Sequence, residues 1–276
     1  MPVPFHGREI HETAQRAYAE WMSRQEIAGV AVWAHTGRGP HLSTAQRELV
    51  LKTWRAALPG KSIVAGANSV EMARQAKRGG ADLLLAFPRR DDPVDYHAVL
   101  SQELPVFAFY LYEAAGGVSY DDATLDAILA LPGVHGIKVA TLDSIMTFQR
   151  IANLMRAHPG KLLITGEDRF LGYSLMLGAH AALIGMGAAL TDLQAELLRT
   201  FGAGDSHAFL RLSAKLDAFA QATFTEPMEG YIRRMLWALA AEGVIPTEAC
   251  DDPWGPALPA EDREAVRRAV REARLR

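Results

Sequence analysis

Cys250 is the only cysteine among 276 residues, which excludes an intramolecular disulfide and any cysteine-based zinc site. A single thiol also suits a reducing compartment. No stretch approaches the ~20 consecutive apolar residues that a membrane-spanning helix needs. The opening MPVPFHGREIHE lacks the charged-then-apolar layout of a secretory leader, so the expectation is a cytoplasmic protein. Neither sign of charge dominates. The 29 Lys and Arg face 32 Asp and Glu, for a net charge of −3, so the broad basic field that would hold nucleic acid or an anionic membrane is missing. The nine histidines form no HExxH pattern or other metal-ligand spacing, so no metal is expected. With 49% hydrophobic and 22% charged residues the chain has an ordinary globular composition, and disorder is excluded.

What is present is an alternation. Short apolar or β-branched runs occur at GVAVWA (29–34), SIVAGA (62–67), ADLLLAF (81–87), PVFAFYLY (105–112), VHGIKVA (134–140), KLLITG (161–166) and AALIGM (181–186). Segments of helical periodicity separate them, such as STAQRELVLKTWRAAL behind a Ser43 cap. Continuous apolar strands separated by helices imply a parallel sheet covered on both faces. PVPF at the N-terminus supplies a further short strand, which brings the count to the eight of a (β/α)8 TIM barrel. An open doubly wound sheet is the rival, but its glycine-rich phosphate turn is not visible. After about Gly202 the alternation gives way to three helical patterns. The expected organisation is an α/β barrel over residues 1–205, or as far as 224, and a C-terminal helical region over 206–276.

In such a barrel the chemistry sits where strands end and loops begin at the C-terminal face. Lys138 stands out there, because GIKVA is otherwise a fully buried strand and lysine is rarely buried. Desolvation lowers its pKa and frees an amine that can attack carbonyl carbon. The plainer reading is a strand-end lysine paired with a carboxylate such as Glu113 or Glu167. Tyr110 and Tyr112 close the preceding strand and share a face; a phenol beside an imine-forming lysine can pass protons, though strand-end tyrosines also serve as packing. In the loop after GVAVWA, Thr36 can bond a tyrosine hydroxyl, His35 can act as acid or base, and amides at Gly37 can hold a carboxylate. Arg89 and Arg90 can clamp an anion, or be neutralised on a solvated loop by Asp91 and Asp92. Glu167 and Asp168 raise the question of acid–base carboxylates. Gly185 and Gly187, after the last strand, raise that of a phosphate site.

The order of these motifs resembles the dihydrodipicolinate synthase / N-acetylneuraminate lyase family, the class I pyruvate-dependent aldolases, along nearly the whole chain. GVHGIKVATLD resembles the family strand that carries the Schiff-base lysine, which falls on Lys138. HTGRGPHLSTAQR resembles its glycine–threonine loop, LLLAFPRR the strand ending in Pro-Tyr-Tyr, and KLLITGEDRFLGYSLMLGAHAALIGMGAAL its late glycine-rich stretch. The resemblance implies a barrel, Schiff-base chemistry on pyruvate or another 2-oxo acid with an aldehyde-type partner, no metal or organic cofactor, and a homo-oligomer of two or four copies. Counting back from Lys138 without gaps puts the proton-relay tyrosine on Tyr110, or on Tyr112 if the loop is shifted. Lys138, Tyr110 and Thr36 are then the catalytic set, with His35, Gly37, Arg90, Tyr112 and Leu183 around the substrate. The sequence departs from the family at His35, where a threonine is usual, at Arg90, where the second tyrosine of a hydrogen-bonded trio is usual, at Arg38, where a glutamate is usual, and at Ala115, where an arginine receives a substrate carboxylate. These departures motivate an alternative, a ligand-binding barrel that has lost its chemistry. They also motivate the idea that positive charge has moved from position 115 to Arg90.

Overall fold

The computed structural model describes residues 1–275. PVPF does not enter the barrel sheet. Phe5–His6 (β1) pairs antiparallel with Glu9–Ile10 (β2), and the Phe5 carbonyl accepts from the Asp251 amide at 3.1 Å. Pro2 and Pro4 carry no N–H to donate to a ladder, which disfavours the segment as a sheet strand. The seven apolar runs do form strands: Gly29–Val32 (β3), Ser62–Ala67 (β4), Leu83–Ala86 (β5), Val106–Leu111 (β6), Val134–Ala140 (β7), Leu162–Thr165 (β8) and Ala181–Ala182 (β9). All seven are parallel, and each pairs with its neighbours in chain order. The sheet is therefore that of a TIM barrel with seven strands among the described residues, one fewer than expected.

Two apolar layers show how the sheet curls. Ala31, Val64, Leu85, Phe107, Phe109 and Ile164 meet inside it, whereas Val32, Ala65, Leu84, Ala108 and Leu163 belong to the layer between sheet and helices. The alternation follows from the pleat, which sends successive side chains to opposite faces. On β6 it turns Phe107, Phe109 and Leu111 inward and Val106, Ala108 and Tyr110 outward.

Helices form where sequence signals start them. Ser43 caps Thr44–Ala57 through a reciprocal pair of bonds with Gln46, satisfying donors that a helix start leaves free. After β9 come the helices Thr191–Gly202, Ser206–Thr223, Tyr231–Ala241 and Ala260–Arg274. Among the described residues no helix is long and apolar enough to cross a membrane.

One turn positions the loop that follows β3. Trp33 is fully buried and has φ 56°, in the left-handed region that non-glycine residues rarely enter. Its carbonyl lies against both Gly39 and Gly66, where an added Cβ would come within 1.7 and 2.2 Å of the oxygen. The loop His35–Arg38 is thereby pressed down onto the barrel mouth. Gly39→Ala should destabilise the fold by about 1–3 kcal/mol in urea unfolding, the usual cost of overpacking. Gly160→Ala, at a glycine whose Cβ would meet nothing within 4 Å, should stay within about 0.5 kcal/mol of the parent. Equal midpoints for the two variants would show that the loop can relax.

Candidate active site

Lys138 lies opposite Phe109 in the register between β6 and β7. Its side chain points into the barrel, where it is 7% exposed and its Nζ lies 4.3 Å from the centre of the Phe109 ring. Burial lowers its pKa by removing water from the ammonium, against the pull of Asp168 and Glu167. The two carboxylates that follow β8 differ in role. Glu167 is fully buried and accepts the Thr141 and Leu142 amides at 2.6 and 3.0 Å, so it ties down the turn after β7; burial lifts its pKa to about 7. Asp168 lines the cavity at Lys138 and accepts the Met186 amide at 2.6 Å. Burial raises its pKa, opposed by the Met186 amide, Lys138 and the Gly185 amide. The Gly185–Gly187 loop thus gives an amide to Asp168, which leaves the idea of a phosphate site there without support.

Above Lys138 runs a chain of polar contacts that joins distant parts of the sequence. Thr36 Oγ1 lies 2.9 Å from the Tyr231 hydroxyl, which lies 3.1 Å from His35 Nδ1. His35 Nε2 is 3.2 Å from Glu229 Oε2, and the Tyr112 hydroxyl donates to Glu229 Oε1 at 2.8 Å. A carboxylate only accepts, so His35 Nε2 carries a hydrogen; in the neutral ring Nδ1 then accepts from Tyr231, which in turn accepts from Thr36. Burial opposes charge on Glu229, but His35, Tyr112 and Arg38 outweigh it and hold the pKa at about 2. Burial also pushes both phenols, Tyr112 and Tyr231, well above the ordinary tyrosine value.

Arg38 anchors the assembly. It donates to both Asp252 oxygens at 3.2 and 2.7 Å and to Glu229 at 3.1 Å, with its side chain 7% exposed. Between this chain and Lys138 is a cavity of about 30 Å3, room for one or two water molecules.

The structure brings Lys138, Thr36, His35 and Tyr112 together around this cavity. It does not bring Tyr110 there. That hydroxyl faces the helix layer, 2.9 Å from Ser119 Oγ and 3.4 Å from Arg150, because the pleat that turns Phe109 and Leu111 inward turns Tyr110 outward. Gly37 also lies off the cavity: its amide is bonded to the Ala34 carbonyl, and that of Arg38 to His35, so neither is free to hold a carboxylate. Leu183 does not line this cavity; it lines a larger, mostly apolar space of about 450 Å3 that also reaches Lys138 and Thr36. Arg89 and Arg90 are exposed, with the Arg89 backbone fastened by the Tyr120 hydroxyl, and they do not line the mouth. Tyr231, Glu229 and Asp252 were not legible as site residues. The available signal was Arg38, since an arginine drawn into the mouth in place of a glutamate requires carboxylates from elsewhere. Among the described residues no group of three or more His, Cys, Asp or Glu side chains is placed to hold a metal ion.

A parallel barrel with an amine buried at its centre and hydrogen-bonded hydroxyl and imidazole groups above it is the setting of imine-forming aldolases and lyases. Residues 1–273 match the model of the dihydrodipicolinate synthetase family, and the chain belongs to that family, whose members are lyases of the class I aldolase type. A 4-hydroxy-tetrahydrodipicolinate synthase from Maridesulfovibrio salexigens is 25% identical over 243 residues, which span 82% of each chain. An N-acetylneuraminate lyase from Salmonella typhi is 27% identical over 198 residues, 66% of this chain and 65% of that protein. Among solved structures, a monomeric dihydrodipicolinate synthase variant superposes with a TM-score of 0.87 at 19% identity, covering 99% of this chain and 94% of that one. The N-acetylneuraminate lyase of Proteus mirabilis gives 0.83 at 20% identity over 99% and 96%. These superpositions show the shared fold.

Gly166 keeps the lysine in place by having no side chain. A Cβ there would lie 2.6 Å from Lys138 Cε and 2.9 Å from Ala140 Cβ. Gly166→Ala should therefore displace the amine and slow its covalent capture of a carbonyl by about 100-fold, the scale expected for a 1 Å misplacement. Single-turnover capture of pyruvate, quenched with borohydride, measures this; an unchanged rate would show that the side chain swings clear at no cost.

Proposed function

We propose that the protein condenses the Lys138 amine with the carbonyl of a 2-oxo acid, pyruvate or a compound that yields it, and makes or cleaves the adjacent carbon–carbon bond. The observation that carries this reading is the buried Lys138, with its lowered pKa, in a cavity it shares with Asp168 and Thr36. The neutral amine adds to the carbonyl carbon, and loss of water leaves a protonated imine. That imine withdraws electrons from the neighbouring carbon and stabilises the carbanion as an enamine. Asp168, its pKa raised by burial, is suited to exchange a proton with the amine. Thr36, Tyr231 and His35 then form the proton path, and Glu229 orients it. In this reading Tyr231 and Tyr112 take the role expected of Tyr110. A homo-oligomer in the cytoplasm belongs to the same proposal.

A barrel that binds its ligand without chemistry is the second reading, and what favours it is His35 at the mouth, where the resembled family carries a threonine. Borohydride reduction in the presence of pyruvate decides between the two. The first reading requires a reduced pyruvyl mass on the Lys138 peptide, absent from Lys138→Arg because a guanidinium is not a nucleophilic amine. The rate of labelling should rise with pH to a midpoint well below the ~10.4 of a free lysine, since only the unprotonated amine adds. No label on the parent protein, or a label that survives in Lys138→Arg, rejects it.

The tyrosines can be ranked in the same way. Removal of a positioned acid–base group commonly costs about 10²–10⁴-fold in rate. Tyr231→Phe and Tyr112→Phe should fall in that range in exchange of the pyruvate methyl protons with deuterated water, followed by NMR. Tyr110→Phe should stay within about threefold, because its hydroxyl meets only Ser119 and Arg150. A large loss in Tyr110→Phe alone would restore the ungapped alignment.

A further inference from the structure

Beside the Lys138 cavity, and sharing His35 with it, is an open cleft of about 420 Å3 at the barrel mouth. Its walls are Phe87, Pro88, Pro40 and the turn Ala114–Gly116, with Asn68 and His41 as polar groups and Arg38 and Glu229 at the floor. We infer that this cleft receives the second substrate and that it selects an aldehyde bearing no carboxylate or phosphate. The inference rests on the Schiff-base reading above and adds to it the class of the partner.

The charge count decides the matter. An anionic partner needs a cation free to meet it, and among the described residues none lines this cleft. Among the described residues Arg38 is the one permanent cation in its wall; three of its five N–H donors are engaged, two by Asp252 and one by Glu229, and two carboxylates offset its single charge. The cluster of one guanidinium and two carboxylates carries a formal charge of −1 when His35 is neutral. Its less buried member is Glu229, whose side chain is 32% exposed against 7% for Arg38 and 1% for Asp252. The face offered to a substrate is thus neutral to negative. His41 does not reverse this, because burial and the nearby Arg38 lower its pKa and favour the uncharged ring. Ala115 lines the cleft without charge, and Arg89 and Arg90 are exposed outside it. The earlier idea that positive charge has moved to Arg90 therefore finds no geometric support. What remains is an apolar flank with hydrogen-bonding groups at Asn68 and His41, which suits an uncharged aldehyde.

A matched pair of probes tests this: butanal and succinic semialdehyde, which differ by a terminal carboxylate. With pyruvate at saturation, kcat/KM for carbon–carbon bond formation should favour butanal by about tenfold or more. That is the scale at which a charged group without a partner is rejected. Ala115→Arg should shift the preference toward succinic semialdehyde by a similar factor. A parent protein that prefers the semialdehyde, treats the two alike, or turns over neither while still trapping pyruvate on Lys138 overturns the inference. Absence of pyruvate trapping overturns the Schiff-base reading instead, so the two failures are separable. The parent's own preference decides the question even if Ala115→Arg fails to fold.

Discussion

The clamp of Arg38 between Asp252 and Glu229 is the interaction on which the site depends. It ties the loop after the first barrel strand to the loops on both sides of helix Tyr231–Ala241. With the bonds from Tyr112 and His35, that tie fixes Glu229 beneath the relay that His35 makes with Tyr231 and Thr36. A buried ion pair of this kind adds little net stability over an apolar equivalent, because desolvation consumes most of the attraction. Removing one partner, however, typically costs about 3–5 kcal/mol, since a charge is left buried alone. The clamp therefore specifies one arrangement of the mouth more than it strengthens the fold. Arg38 also holds a left-handed backbone, φ 52°, a conformation that costs of order 1 kcal/mol and persists because its surroundings fix it.

Lys138 and the clamp solve opposite electrostatic problems. The lysine is buried beside carboxylates that are themselves destabilised by burial, so both sides are left near the point of exchanging a proton. The clamp pairs full charges and holds Glu229 ionised at about 2. One part of the mouth is thus poised to move protons, and the part above it is fixed. His35 joins them, with one ring nitrogen on each side.

Lys138 was legible in the sequence because a charged residue inside an apolar strand stands out. The seven sheet strands were legible because buried parallel strands read as continuous apolar runs. Parity was not. FAFYLY offers aromatics on both faces of its strand, and only the register that sets Phe109 against Lys138 shows which face is inside. Tyr112 has the outward parity of Tyr110, yet it lies beyond the strand end, where the chain turns it into the mouth. The eighth strand failed for a local reason, two prolines in PVPF. Tyr231 and Glu229 were invisible for a different one: their partners lie 195 and 191 residues away along the chain, at Thr36 and Arg38, and no local pattern encodes such a meeting.

That separation also imposes an order of events during synthesis. A ribosome releases the segments that form the seven barrel strands, Lys138 among them, before Glu229 and Tyr231, and a nascent chain folds from its N-terminal end. A partly emerged chain can thus hold the amine while lacking the histidine–carboxylate relay and the buried guanidinium's counter-charges. The side-chain contacts that enclose Arg38 are made by Glu229 and Asp252. The mouth above Lys138, although it begins with His35 near the start of the chain, is closed by some of the latest segments to emerge.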